Sequence, residues 1–152
     1  FWYDCRKKQI TTFVELYHYL QRSKRGMTQQ NMISPRELER TISDFMLELG
    51  IPAHLRGYQF LRSAVGMCVE DMELVGSVTK LLYPDLAKMY QTTDTKIERA
   101  IRNAIEVSWE RGNSDLFEEL FGYSNTLEYT RPTNSEYIAV VADYIRLKNN
   151  LI

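Results

Sequence analysis

Apolar residues recur at helical spacing along almost the whole chain, and nowhere do they alternate for long with period two. Ile10, Phe13, Val14, Leu16, Tyr17 and Leu20 predict a helix within residues 1–21, and the polar run RSKRGMTQQNMIS, residues 22–34, predicts a linker. The boundary after it is sharp. Ser34-Pro35-Arg36-Glu37 combines a capping Ser, Pro in the first turn and a Glu three residues on, which opens a helix. Leu38, Ile42, Phe45, Met46 and Leu49 form its apolar face, and Gly50 stops it. Phe60, Leu61, Ala64, Val65 and Cys68 give the spacing of a buried helix after Pro52 and Gly57, and a further helix is expected from about Met72 to Leu82. Pro84 is expected at the first position of a short helix over 84–90, QTTD (91–94) reads as a turn, and a long helix follows over 95–111. Gly112-Asn113 is expected to end that helix through a left-handed residue. DLFEELFGY (115–123) predicts a short amphipathic helix, and Thr133 with Glu136 caps a last helix running to about Lys148. The expected fold is all-α: a compact domain of six to seven helices over 34–152 containing a helix-turn-helix at 84–111, preceded by a helical segment and linker over 1–33.

Composition sharpens this picture in three ways. The 152 residues contain only 7 Gly and 4 Pro, which argues against a loop-rich β fold. No apolar run approaches the roughly 18 residues that a membrane span needs, so no membrane partner is expected. Cys5 and Cys68 are too few for a disulfide framework or a four-ligand zinc site, and suit a reducing, cytoplasmic setting. The chain begins at Phe1 without a signal sequence, so a piece of a longer protein is expected.

Candidate chemistry for catalysis is sparse, and no enzyme, metal site or cofactor is expected. His18 and His54 are the two histidines, and neither falls into a nucleophile–base pattern; a helix-start or packing role suits His54. Glu70-Asp71 and Glu118-Glu119 fit solvated helix faces, and Cys68 falls on an apolar stripe. There is no Gly-rich phosphate loop.

Residues 84–103 are different. Two helices joined by a four-residue turn describe a helix-turn-helix. Ala87 is small where the helices cross, Leu86 and Tyr90 precede the turn, and Ile97 and Ala100 face inward. Gln91 stands where many such motifs have Gly, and is read as a turn of different geometry. On the outer side of the second helix Lys96, Arg99 and Arg102 recur every three residues, beside Glu98 and Asn103. Arg pairs with guanine, Glu accepts from cytosine and Asn pairs with adenine. Thr92, Thr93 and Thr95 at the helix start suit phosphates. The competing reading is a solvated face on which Glu98 and Arg102 pair with each other.

Net charge bears on that choice. It is −1 overall, but residues 1–35 carry six basic groups against Asp4 and Glu15, and residues 36–152 are left at −5. Nucleic-acid binding must therefore rest on a focused patch rather than on bulk charge.

Several strings, GIPAHLRGYQFLR (50–62), SVTKLLYPDLAKMY (77–90), TTDTKIERAIRNAIEVSWERGN (92–113), LFGY (120–123) and PTNSEYIAVVADYIRL (132–147), closely resemble one family. It is the C-terminal effector domain of the sporulation master response regulator, the stage zero sporulation protein A family, and the resemblance covers about residues 38–148. It implies a transcription regulator of sporulation that binds tandem promoter sites in double-stranded DNA as a head-to-tail pair, as activator or repressor. It also implies an upstream receiver controlled by phosphorylation; residues 1–33 lack its acidic pocket and phosphorylatable Asp, although the helix at 10–21 could be its last. The family's contacting positions fall on Thr95, Lys96, Glu98, Arg99, Arg102 and Asn103. Lys96 stands where the family usually has Arg, and Asn103 where it often has His, so Lys96 is expected at a phosphate. A second surface, contacting the sigma subunit of RNA polymerase, is implied over 112–125, including Gly112, Leu116, Phe121 and Tyr123. The rival expectation is a divergent paralogue that serves as a protein-interaction module through its acidic surface.

Overall fold

The computed structural model describes residues 33–126 and 128–149. Among them the chain forms six α-helices and no strand: α1 (Pro35–Glu48), α2 (Arg56–Glu70), α3 (Tyr83–Met89), α4 (Asp94–Arg111), α5 (Ser114–Phe121) and α6 (Asn134–Lys148). The helix expected at 10–21, most of the linker at 22–34, Cys5 and His18 lie outside the described residues.

Helix α2 is the centre of the domain and packs against α1, α4 and α6. Its sequence is apolar or small on nearly every side, which is the pattern of a buried helix. Cys68 lies there fully buried, as expected, and burial pushes its thiol up to about 12. The first turn of α2 runs so close to α4 that a Cβ on Gly57 would overlap the Ala100 carbonyl and come within 2.9 Å of the Ala104 Cβ. His54 is exposed in the turn before it.

Both expected capping boxes form. The Glu37 amide donates to the Ser34 hydroxyl at 3.2 Å, and the Ser34 amide donates to the Glu37 carboxylate at 3.1 Å. Helix α1 ends on Gly50 in the left-handed conformation, φ 81°, with the Gly50 amide on the Leu47 carbonyl and the Ile51 amide on that of Met46. Those two bonds are the Schellman arrangement, which uses carbonyls that a helix end would otherwise strand.

The end of α1 is then locked to α4 and α6. The Ser108 hydroxyl lies 2.6 Å from the Leu49 carbonyl and 2.8 Å from the Tyr137 hydroxyl, and Ser108 and Tyr137 are fully buried. A Cβ on Gly50 would come within 2.7 Å of the Gly112 Cα. Gly112 was expected to end α4 through a left-handed residue, but its φ is −72° and ψ 169°, which any residue adopts. What demands glycine is space: a Cβ there would overlap the Ser108 carbonyl and sit 2.6 Å from that of Leu49.

Three further boundaries differ from expectation. Residues 72–82 do not form one α-helix but a 3₁₀ segment, Met72–Ser77, and a π turn, Val78–Leu82. Asp71 caps the first by accepting from the Glu73 amide at 3.2 Å. The Tyr83 amide reaches back five residues to Val78, and this wider turn accommodates Pro84, whose ring would clash with the carbonyl four residues back in an α-helix. Pro84 is consequently the second residue of α3, not the first. Finally, α5 stops at Phe121, because Gly122 takes φ 80° as its left-handed cap.

Ser108→Ala leaves the Leu49 carbonyl and Tyr137 hydroxyl without that partner at a buried site. It should lower stability by about 1–3 kcal/mol in denaturant titration while preserving helix content.

Candidate nucleic-acid interface

Helices α3 and α4 form the helix-turn-helix. Leu86, Ala87 and Met89 of α3 are buried, as are Ile97, Ile101, Ala104 and Ile105 of α4. The turn between them closes a second Schellman arrangement: the Gln91 amide donates to the Lys88 carbonyl at 3.4 Å and the Thr92 amide to that of Ala87 at 2.8 Å. Gln91 sits at φ 53°, the left-handed region that favours glycine. The expectation of a different turn geometry is thus corrected. The turn keeps the glycine geometry and bears the strain of a side chain in it. Tyr90 anchors this corner to α2, its hydroxyl 2.6 Å from that of Ser63 and its ring edge-on to Phe60 at 4.9 Å.

Helix α4 starts at Asp94, one residue earlier than expected, because Thr93 is the cap: its hydroxyl accepts from the Lys96 amide at 3.3 Å. Thr93, Thr95, Lys96, Arg99, Arg102 and Asn103 are exposed, while Thr92 and Glu98 are half-buried. At about 100° per residue, Glu98 and Arg102 fall toward one edge of the helix, Lys96 and Asn103 toward the other, and Arg99 between them. This strip lies opposite the buried stripe, and the first turn presents backbone N–H groups at one end of it. The ion pair between Glu98 and Arg102 does form, at 3.5 Å and largely in solvent, so it adds little to the stability of the helix. Further along, Arg131 neutralises Glu106 at 2.8 Å.

A family model described as the C-terminal domain of the sporulation initiation factor Spo0A matches residues 42–145. The chain belongs to this family. It is accordingly a DNA-binding regulator domain of sporulation, in a family of transcription regulators and not of enzymes. None of the helices in the described residues is long and apolar enough to cross a membrane.

The second surface expected in this Spo0A-family domain, over 112–125, is an aromatic ridge. Phe117 is buried, stacked on Phe121 at 5.3 Å and edge-on to Trp109 at 5.6 Å. Tyr123 meets Trp109 at 5.9 Å and stacks on the half-exposed Tyr129 at 5.0 Å. Leu116, Phe121 and Tyr123 keep part of their surface in solvent, whereas Gly112 is occupied in the joint with α1. Glu119 is exposed, and so is Glu118, which accepts from the Ser124 hydroxyl at 3.1 Å.

Local spacing does not mark three residues beside α4: Arg131, which pairs with Glu106, Asn134, which donates to the Glu98 carbonyl, and Tyr83, which accepts from the same Asn134 amide. Asn134 shows in the sequence only as part of a helix start.

Replacing Gln91 with Gly removes the left-handed strain without touching the exposed strip. Gln91→Gly should raise stability by about 1 kcal/mol, read as a higher melting temperature, with helix content unchanged.

Proposed function

We propose that this domain lays α4 in the major groove of double-stranded DNA and reads sequence there. The observation that carries the reading is the exposed strip of Lys96, Arg99, Arg102 and Asn103, directly opposite the buried stripe of a helix-turn-helix. Arg99 and Arg102 are the base readers, because a guanidinium matches guanine O6 and N7 bidentately. Glu98 holds Arg102 at 3.5 Å and offers an acceptor to cytosine. Thr92, Thr93, Thr95 and Lys96 follow the backbone at the helix start, and Asn103 reaches the edge of the site. Lys96 supplies a point charge without a fork, which suits a phosphate better than a base edge.

On this reading residues 34–152 are the effector unit, acting as a head-to-tail pair on tandem promoter sites. The half-exposed ridge of Leu116, Phe121 and Tyr123 offers apolar surface for the sigma subunit of RNA polymerase. Residues 1–33 form a separate upstream segment.

The test separates base reading from backbone holding. Arg102→Ala should weaken cognate binding by about 1–3 kcal/mol and relax specificity. Lys96→Ala should weaken binding to every duplex about equally and lower the salt slope by about one. If both variants bind the cognate duplex like the parent protein, α4 is not the reading helix.

A further inference from the structure

Helix α6 starts with a complete capping box. The Glu136 amide donates to the Thr133 hydroxyl at 3.2 Å, and the Thr133 amide donates to the Glu136 carboxylate at 3.1 Å. Asn134, the first residue inside the helix, takes no part in it. Its side-chain amide crosses instead to the helix-turn-helix, where Nδ2 donates to the Tyr83 hydroxyl at 2.9 Å and to the Glu98 carbonyl at 3.2 Å. Tyr83 is the buried first residue of α3. Glu98 belongs to α4, and its carboxylate holds Arg102. One amide thus ties the start of α3 to the reading half of α4, one residue's reach from the guanidinium.

The two N–H groups of an amide lie in one plane at a fixed angle. With one on Tyr83 and one on Glu98, the Asn134 amide constrains both the spacing of α3 from α4 and the rotation of α4 about its own axis. Ser108 and the Glu106–Arg131 pair act on α4 further toward its C-terminus. Asn134 reaches the N-terminal half, where Lys96, Arg99 and Arg102 lie. Rotation matters unequally for the contacts made there. A planar guanidinium meeting a base edge tolerates little misalignment, whereas a phosphate contact by a flexible cation tolerates much.

We propose that Asn134 is a positioning residue for sequence discrimination, setting through Tyr83 and the Glu98 carbonyl the rotation of α4 at which Arg102 meets a base. The inference rests on the reading of α4 as the DNA-reading helix. Asn134 itself need not touch DNA.

The experiment compares Asn134→Ala with Thr133→Ala, which removes the cap of the same helix and leaves the tether in place. Affinities for a duplex with two copies of the family's promoter box and for a scrambled duplex are measured at one salt concentration, after circular dichroism has shown both variants folded. Asn134→Ala should lower the cognate-to-scrambled ratio about 10-fold, mostly through the cognate site, while Thr133→Ala should leave the ratio within about 2-fold. Adding Arg102→Ala to Asn134→Ala should lower the ratio by less than Arg102→Ala does alone. If Asn134→Ala does not fold, Tyr83→Phe removes one of the two acceptors and should lower the ratio in the same direction. A ratio unchanged in Asn134→Ala, or in Tyr83→Phe where that variant stands in, or lowered equally by Thr133→Ala, overturns the inference while leaving the DNA-reading helix intact. A parent protein that binds both duplexes equally overturns the reading of α4 itself.

Discussion

The buried hydroxyl of Ser108 is where the domain closes. It lies within hydrogen-bond distance of the carbonyl of Leu49, the residue that caps α1, and of the hydroxyl of Tyr137 in α6, so three helices meet on one oxygen. The carbonyl belongs to a helix end, where no intrahelical partner remains, and Ser108 and Tyr137 are fully buried. Glycine on both sides makes the approach possible: Gly50 and Gly112 touch backbone to backbone, where a Cβ on either would have nowhere to go. An interaction of this kind is costly to leave half-made, which makes it a strong constraint on geometry even where its net contribution to stability is modest.

This joint acts on the far end of α4, and the consequence is functional. Helix α4 serves as core on one side and as an exposed polar strip on the other, so both its position and its rotation count. Its C-terminal half is held by Ser108, and its N-terminal half by the close crossing of Gly57 over Ala100 and by the Asn134 amide at the Glu98 carbonyl. The turn before it follows glycine geometry at Gln91. The strip of Lys96, Arg99, Arg102 and Asn103 is therefore presented by a helix fixed along its length. That is the condition under which rigid side chains can distinguish base edges.

Much of this was legible in the chain because it is local. Ser34 with Glu37 and Thr133 with Glu136 mark helix starts, since each box is built from residues three apart. The buried stripe of Ile97, Ile101 and Ile105 announces a helix and the side it buries, and with it the side left for Lys96, Arg99 and Asn103. What escaped depends on distant contacts or on departures from helical period. Residues 72–82 read as one α-helix because π and 3₁₀ turns leave almost no signature in apolar spacing, although Pro84 was the clue to the strain being absorbed. Gly112 read as a conformational stop, yet its reason is space, taken by the Ser108 carbonyl of its own helix and by the Leu49 carbonyl, 63 residues earlier in the chain. Asn134 read as helix punctuation because Tyr83 and Glu98 reach it only in the folded domain.

The central claim is that α4 reads duplex DNA, and its most direct test is the salt dependence of binding to a tandem-site duplex beside a scrambled one. The account predicts a complex that prefers the tandem duplex at every salt concentration. Its affinity should fall linearly on logarithmic axes, with a slope of roughly −0.9 per phosphate held. Equal affinity for the two duplexes, or no complex with either at about physiological salt, would contradict it and point instead to a fold that serves a protein partner.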